Sequence, residues 1–167
     1  MEHPTTSVRR TDSKTCCFMG HRNTPGWVRP ALATAVEQHI QIHGVDRFLV
    51  GNYGEFDQMV RSVVMDMKRR YPHIQLYLLL AYPPRPGQTA NQECVDRLIY
   101  PEALRRGPIK AAIPRLNQMM VNASDYAIAY VDHQSNGAYQ TMQYAKKRKR
   151  SGKIHITNLA DLKPIGF

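Results

Sequence analysis

Three short stretches of this chain carry the residue types that hold an anion. Phe18-Met19-Gly20-His21-Arg22 sets an imidazole and a guanidinium directly after an apolar run. Arginine forks onto phosphate oxygens and histidine donates to them. Gly51-Asn52-Tyr53-Gly54-Glu55-Phe56-Asp57 places two glycines at the head of a helical pattern. A helix start offers free N–H groups and a partial positive charge, which suits a phosphate. Ser135-Asn136-Gly137 brings a hydroxyl, an amide and backbone donors to another helix start, a second phosphate cradle. Each stretch also has an ordinary structural reading: a loop-stabilising pair for His21-Arg22, turn glycines for Gly51 and Gly54, and N-capping around Ser135.

Other residues extend the chemical inventory. Glu55 and Asp57 are the carboxylates that cleavage of an N-glycosidic or phosphate bond would use. Capping the helix start competes with that role and suits Glu55 better, whereas Asp57 can also hydrogen-bond a ribose or fix the Arg22 side chain. Tyr82 closes an apolar run and can stack on a base or simply pack. His39 and His43 stand at i, i+4 without an acidic or third partner, so no metal site is expected. Lys146, Lys147, Arg148, Lys149 and Arg150 form a basic run that suits either a solvated helix end or a nucleic-acid backbone, with no interleaved aromatics for base stacking.

Elements that position these residues are legible from periodicity. Thr15–Met19 reads as a strand, and Val28, Leu32, Ala35, Val36 and Ile40 mark a helix stopped by Gly44. Arg47–Val50 is a second strand, followed by a helix whose apolar stripe runs from Phe56 to Met67 and ends in Lys68-Arg69-Arg70. Ile74–Tyr82 is nearly continuous in apolar residues, as a central strand covered on both faces should be. From Pro84 to Pro108 the pattern is poor, with one short helical run through Val95, Leu98 and Ile99, and this segment reads as a partly helical excursion over the sheet edge. Leu116–Ala123 is a helix, Tyr126–Val131 a strand, Ala138–Ala145 the buried side of a last helix and Lys153–Thr157 a last strand. The expected fold is α/β: a single Rossmann-like domain with a mainly parallel sheet and helices on both faces. Residues 1–14 lack periodicity and read as a flexible tail before a nucleotide-binding domain over 15–167. In such sheets ligands bind beyond the carboxyl ends of the strands, where the three turn-rich loops emerge.

Taken together, Phe18-Met19-Gly20-His21-Arg22, Gly51-x-x-Gly54-x-Phe56-Asp57, Asn117-x-x-Met120-Val121-x-x-Ser124-Asp125 and Ser135-x-Gly137 with Tyr144-Ala145 resemble the YpsA-like proteins of the SLOG superfamily. The resemblance spans roughly residues 15 to 160, and the superfamily also includes the DprA and Lonely Guy proteins. It implies a Rossmann-like sheet that binds a nucleotide or nucleotide derivative, ADP-ribose-like signals included, with Asn117 joining the site. Its members comprise DNA-processing factors, phosphoribohydrolases and nucleotide sensors, so it implies no single activity. Departures narrow the choice. Asn136-Gly137-Ala138 stands where the family has Gly-Gly-Thr, Leu116-Asn117 where it has Arg-Asn, and Thr141 where Lonely Guy enzymes have a glutamate. A hydroxyl does not replace a carboxylate that stabilises or moves charge, which argues against phosphoribohydrolase chemistry.

Bulk composition sets the outer bounds. The 167 residues fit one domain, and 43% hydrophobic content fills a core. Lys and Arg exceed Asp and Glu by 23 to 13, a formal charge of +10, so anionic partners are favoured. A small nucleotide derivative is the expected ligand, no cofactor is required, nucleic acid remains open as a partner, and a homo-oligomer is compatible with the sequence. Three cysteines, Cys16, Cys17 and Cys94, match no zinc spacing and no disulfide framework. With no membrane-length apolar run and no apolar core in Met1–Lys14, the expectation is a reduced cytoplasmic protein with no membrane partner.

Overall fold

The computed structural model describes residues 13–85, 95–135 and 137–162. Six parallel strands form one sheet: β1 (Lys14–Gly20), β2 (Val45–Val50), β3 (Gln75–Leu79), β4 (Arg97–Ile99), β5 (Tyr126–Tyr130) and β6 (His155–Asn158), in the order β4-β3-β2-β1-β5-β6. Four α-helices cover it: α1 (Val28–Gln41), α2 (Glu55–Arg70), α3 (Ala112–Asn122) and α4 (Ala138–Arg150). This is the Rossmann-like α/β domain expected from the strand and helix alternation.

Side-chain alternation along the strands divides the core into two layers. Cys16, Phe18, Phe48, Val50, Leu76 and Leu78 point to one face with the apolar stripes of α1 and α2. Their neighbours Cys17, Met19, Leu49, Tyr77 and Leu79 point to the other, against α3 and α4. The adjacent thiols of Cys16 and Cys17 therefore lie on opposite sides of the sheet, and burial pushes both up, Cys17 to about 11. Cys94 lies outside the described residues.

Two expectations need correction. The run through Val95, Leu98 and Ile99 is not helical: Arg97–Ile99 is the edge strand β4. Too short to display a period, it is held by long-range bonds, with the Leu76 N–H donating to the Asp96 carboxylate at 2.7 Å and the Leu80 N–H to the Ile99 carbonyl at 2.8 Å. Lys68 pairs with the same carboxylate at 2.5 Å. At the other end of the chain Lys14 belongs to β1 rather than to a tail, because Asp46 accepts from the Ser13 hydroxyl and the Lys14 N–H. The rest of that expected tail, residues 1–12, lies outside the described residues.

Several residues of the family-like motifs prove to be joints of the fold. The Asp125 carboxylate accepts from the Thr15 N–H at 3.0 Å while the Asp125 N–H donates to the Thr15 carbonyl, so β5 starts in register with β1. Buried Ser124 donates to the Met120 carbonyl and closes α3. Gly20 abuts the ring of Phe56, where an added Cβ would sit 2.2 Å from Cγ. No rotamer of a fully buried ring absorbs that overlap, so Gly20→Ala should lower stability by about 3 kcal/mol. Gly26, whose Cβ would meet nothing within 4 Å, is the control. Urea denaturation of both alanine variants checks this, and equal midpoints would refute the packing account.

Candidate functional site

β1 lies between β2 and β5, and the chain leaves it toward β2 on one side and returns to β5 on the other. Loops leaving β1 and β5 therefore diverge, and a crevice opens between them at the carboxyl ends of the strands. A cavity of about 560 Å³ occupies that position. Gly20, His21, Arg22 and Asn23 line it from the end of β1, and Tyr53 and Asp57 from the approach to α2. Lys110, Ile113, Pro114, Asn117 and Met120 line it from α3 and the turn before it. The wall is completed by His133, Ser135, Gly137, Ala138 and Thr141 from the β5–α4 connection and the first turn of α4.

Seven of the residues proposed from sequence thus meet at one rim: Gly20, His21, Arg22, Asp57, Asn117, Ser135 and Gly137. Asn136 lies outside the described residues. Gly51, Asn52 and Gly54 do not line the cavity, and the reason is local. The Glu55 N–H donates to the Arg22 carbonyl at 2.9 Å, and the Tyr53 N–H donates to the Asp57 carboxylate at 2.9 Å. These bonds occupy the N–H donors of Glu55 and Tyr53 around the start of α2. Gly54 is glycine for backbone reasons: it adopts φ 137°, ψ 177°, and an added Cβ would lie 2.9 Å from the Arg22 Cα. Gly51 backs onto the Asp57 carboxylate, 3.1 Å from where its Cβ would stand.

Both candidate carboxylates are accounted for. Asp57 closes the turn before α2 rather than holding Arg22, and burial raises its pKa, with the Tyr53 N–H and Arg61 opposing. Glu55 is exposed and reaches the Thr24 N–H at 3.4 Å, away from the cavity lining. Tyr82 packs edge-on against Tyr53 with ring centroids 6.1 Å apart, and of the two it is Tyr53 that lines the cavity. Thr141 does line the wall, but its hydroxyl donates to the Gly137 carbonyl at 3.2 Å. Arg115, one residue from the expected Arg-Asn pair, instead staples the preceding turns through the Ala103 and Arg106 carbonyls.

The start of α4 differs from that of α2. Ser135, two residues before the N-cap Gly137, accepts from the Tyr139 N–H at 3.2 Å. No acceptor among the described residues meets the amides of Gly137 and Ala138. An added Cβ on Gly137 would find nothing within 4 Å. The basic run Lys146–Arg150 ends the same helix, about 12–18 Å along its axis from Ala138 at 1.5 Å per residue. It stands away from the crevice.

One cluster was not apparent from sequence. His21 is buried beneath His133, their rings stacked at 3.8 Å with 17° between planes. The His21 Nε2 accepts from the Asp132 N–H at 3.1 Å, which places its proton on Nδ1. His133 Nδ1 approaches the Asp132 Oδ1 at 2.6 Å, and the Tyr130 hydroxyl donates to Oδ2 at 3.0 Å. The His133 and Tyr130 bonds hold the Asp132 carboxyl below its usual range, against the effect of burial. Residues 132 and 133 sit in the same turn as Ser135, but only the stacking beneath them, invisible in a linear pattern, ties them to His21.

The fold and its crevice define a Rossmann-like α/β protein with a cation-lined cleft at the strand-order reversal. The chain matches no protein-family model, and no curated protein is significantly similar to it. Among the described residues no helix is long and apolar enough to cross a membrane.

Burial lowers His21 below 6.5, with His133 adding to the effect and Asp132 opposing it, and burial likewise lowers His39. The folded protein then binds these protons more weakly than the unfolded chain. Stability is therefore full above about pH 6.5 and is lost as pH falls toward the depressed folded values. Melting temperature should drop between about pH 7 and about pH 5, and drop less in His21→Gln and His39→Gln. Parallel curves for all three proteins would exclude these rings as the cause.

Proposed function

We propose that the protein binds a nucleotide or phosphorylated nucleoside derivative, ADP-ribose-like molecules included, in the crevice between the β1 and β5 loops, acting as a sensor or a sequestering protein. The observation that carries this reading is the composition of one wall: Arg22, Lys110 and the amides of Gly137 and Ala138, which meet no acceptor among the described residues, border a single cavity of about 560 Å³. That volume lies within the roughly 300–1,000 Å³ of pockets that hold small ligands. Arginine and helix-start amides together favour phosphate oxygens. Tyr53 and Met120 offer apolar surface to a base or ribose. The resemblance to YpsA-like proteins of the SLOG superfamily points to the same class of ligand.

Cleavage has weaker support. Asp57 is the one carboxylate among the described lining residues, and it is bonded to the Tyr53 amide. A DNA-associated role resting on Lys146–Arg150 would use the opposite end of α4 from the crevice.

Thermal-shift and calorimetric titration with nucleoside mono-, di- and triphosphates and ADP-ribose tests the proposal. At least one should raise the melting temperature with one-to-one binding. Arg22→Ala should weaken it about tenfold, the loss of one charge-assisted hydrogen bond. Gly137→Ala should reduce affinity, since it puts a methyl group into the open space beside the α4 amides. Silence across the panel would sink the reading.

A further inference from the structure

We infer that His21, Asp132 and His133 form a binding site for a divalent transition-metal ion of the zinc type at the edge of the crevice. His21, Asp132 and His133 each offer one ligand atom, and these atoms all lie within 4.8 Å of one another. His21 Nε2 is 3.2 Å and His133 Nδ1 2.6 Å from the same Oδ1. In a tetrahedral site with bonds of about 2.0–2.2 Å, neighbouring ligand atoms stand about 3.4 Å apart. The His21–Asp132 spacing already approaches that value. The His133 pair must open, and His133 is the more exposed of the two side chains, at 63% against 40%, so it is the one that moves.

The contacts around His21 contain a mismatch that a cation resolves. One ring nitrogen cannot accept from the Asp132 N–H at 3.1 Å and also donate to the Asp132 Oδ1 at 3.2 Å. As an acceptor, its lone pair faces a carboxylate oxygen; as a donor, its N–H faces another N–H. A metal ion takes that lone pair and the carboxylate oxygen together, releasing the Asp132 amide on an exposed loop to water. The supporting shell is in place: the Tyr130 hydroxyl bonds Oδ2 and turns Oδ1 toward the two rings. Packing fixes the His21 ring, edge-on to Tyr130 at 5.7 Å. Two imidazoles with one carboxylate select zinc and its neighbours over calcium or magnesium. The coordination positions left open can take water or an oxygen of a crevice-bound anion.

His39 and His43 do not compete as a chelating pair, because His39 Nδ1 is bonded to the Ala35 carbonyl at 2.7 Å inside the core. The site is independent of the nucleotide proposal, and its test uses the metal alone. After dialysis against chelator, the full chain is titrated with Zn2+ by calorimetry and with Co2+ by visible absorption. One ion per chain is expected, with Co2+ bands typical of low coordination number. His133→Ala and Asp132→Asn should each weaken binding at least tenfold, Tyr130→Phe by a smaller factor, and His43→Ala should leave it unchanged. Absence of saturable one-to-one binding would overturn the inference, as would affinity that survives both His133→Ala and Asp132→Asn.

Discussion

The parallel pairing of β1 with both β2 and β5 is the constraint on which the rest of the molecule depends. Cys16 and Cys17 take part in both ladders, so the strand is fixed laterally from two sides. That placement makes β1 the point where the winding of the chain reverses, and it forces the loops beyond Gly20 and Tyr130 apart. Asp125 enforces it from the other end by bonding the Thr15 backbone through both its carboxylate and its amide. A motif residue without any place in the crevice is thereby essential to there being one.

Helix starts with similar sequences do different work here. At α2 the Arg22 carbonyl accepts from the Glu55 N–H and the Asp57 carboxylate from the Tyr53 N–H, and Gly54 lets the two loops pack backbone to backbone. The effect is to hold Arg22 against the start of α2 rather than to bind a ligand there. At α4 the N-cap is Gly137, which faces open space, and the Ser135 hydroxyl bonds the Tyr139 N–H further along. Glycine content predicts neither outcome, because a donor is available to a ligand only when the rest of the fold leaves it unmatched.

Charge is distributed with comparable separation. Arg22 and Lys110 flank the cavity, whereas Lys146–Arg150 crowd the far end of α4, where cations suit the helix dipole. The excess of basic residues thus serves at least two environments. Beneath the crevice, His21 stacks under His133 and meets the ordered carboxylate of Asp132, giving the rim a rigid polar floor.

Much of this was legible in the chain itself. The 3.6-residue stripes of α1 and α2 and the apolar runs of β1, β2, β3 and β5 identify the architecture, because burial on a sheet imposes those periods wherever an element is long enough to show them. His21, Arg22, Ser135 and Gly137, singled out by their place after strands, and Asn117, singled out by the family resemblance, all line the cavity. β4 was misread because three residues carry no period, and its identity comes from hydrogen bonds to β3 and from Asp96. Gly54 against Arg22, Tyr82 beside Tyr53, and the His21–Asp132–His133 cluster depend on contacts between segments far apart in sequence. Local pattern therefore determined which elements form and where polar loops fall. Only tertiary packing decided which donors remain unpaired and which side chains converge, since both depend on neighbours that the linear order does not supply.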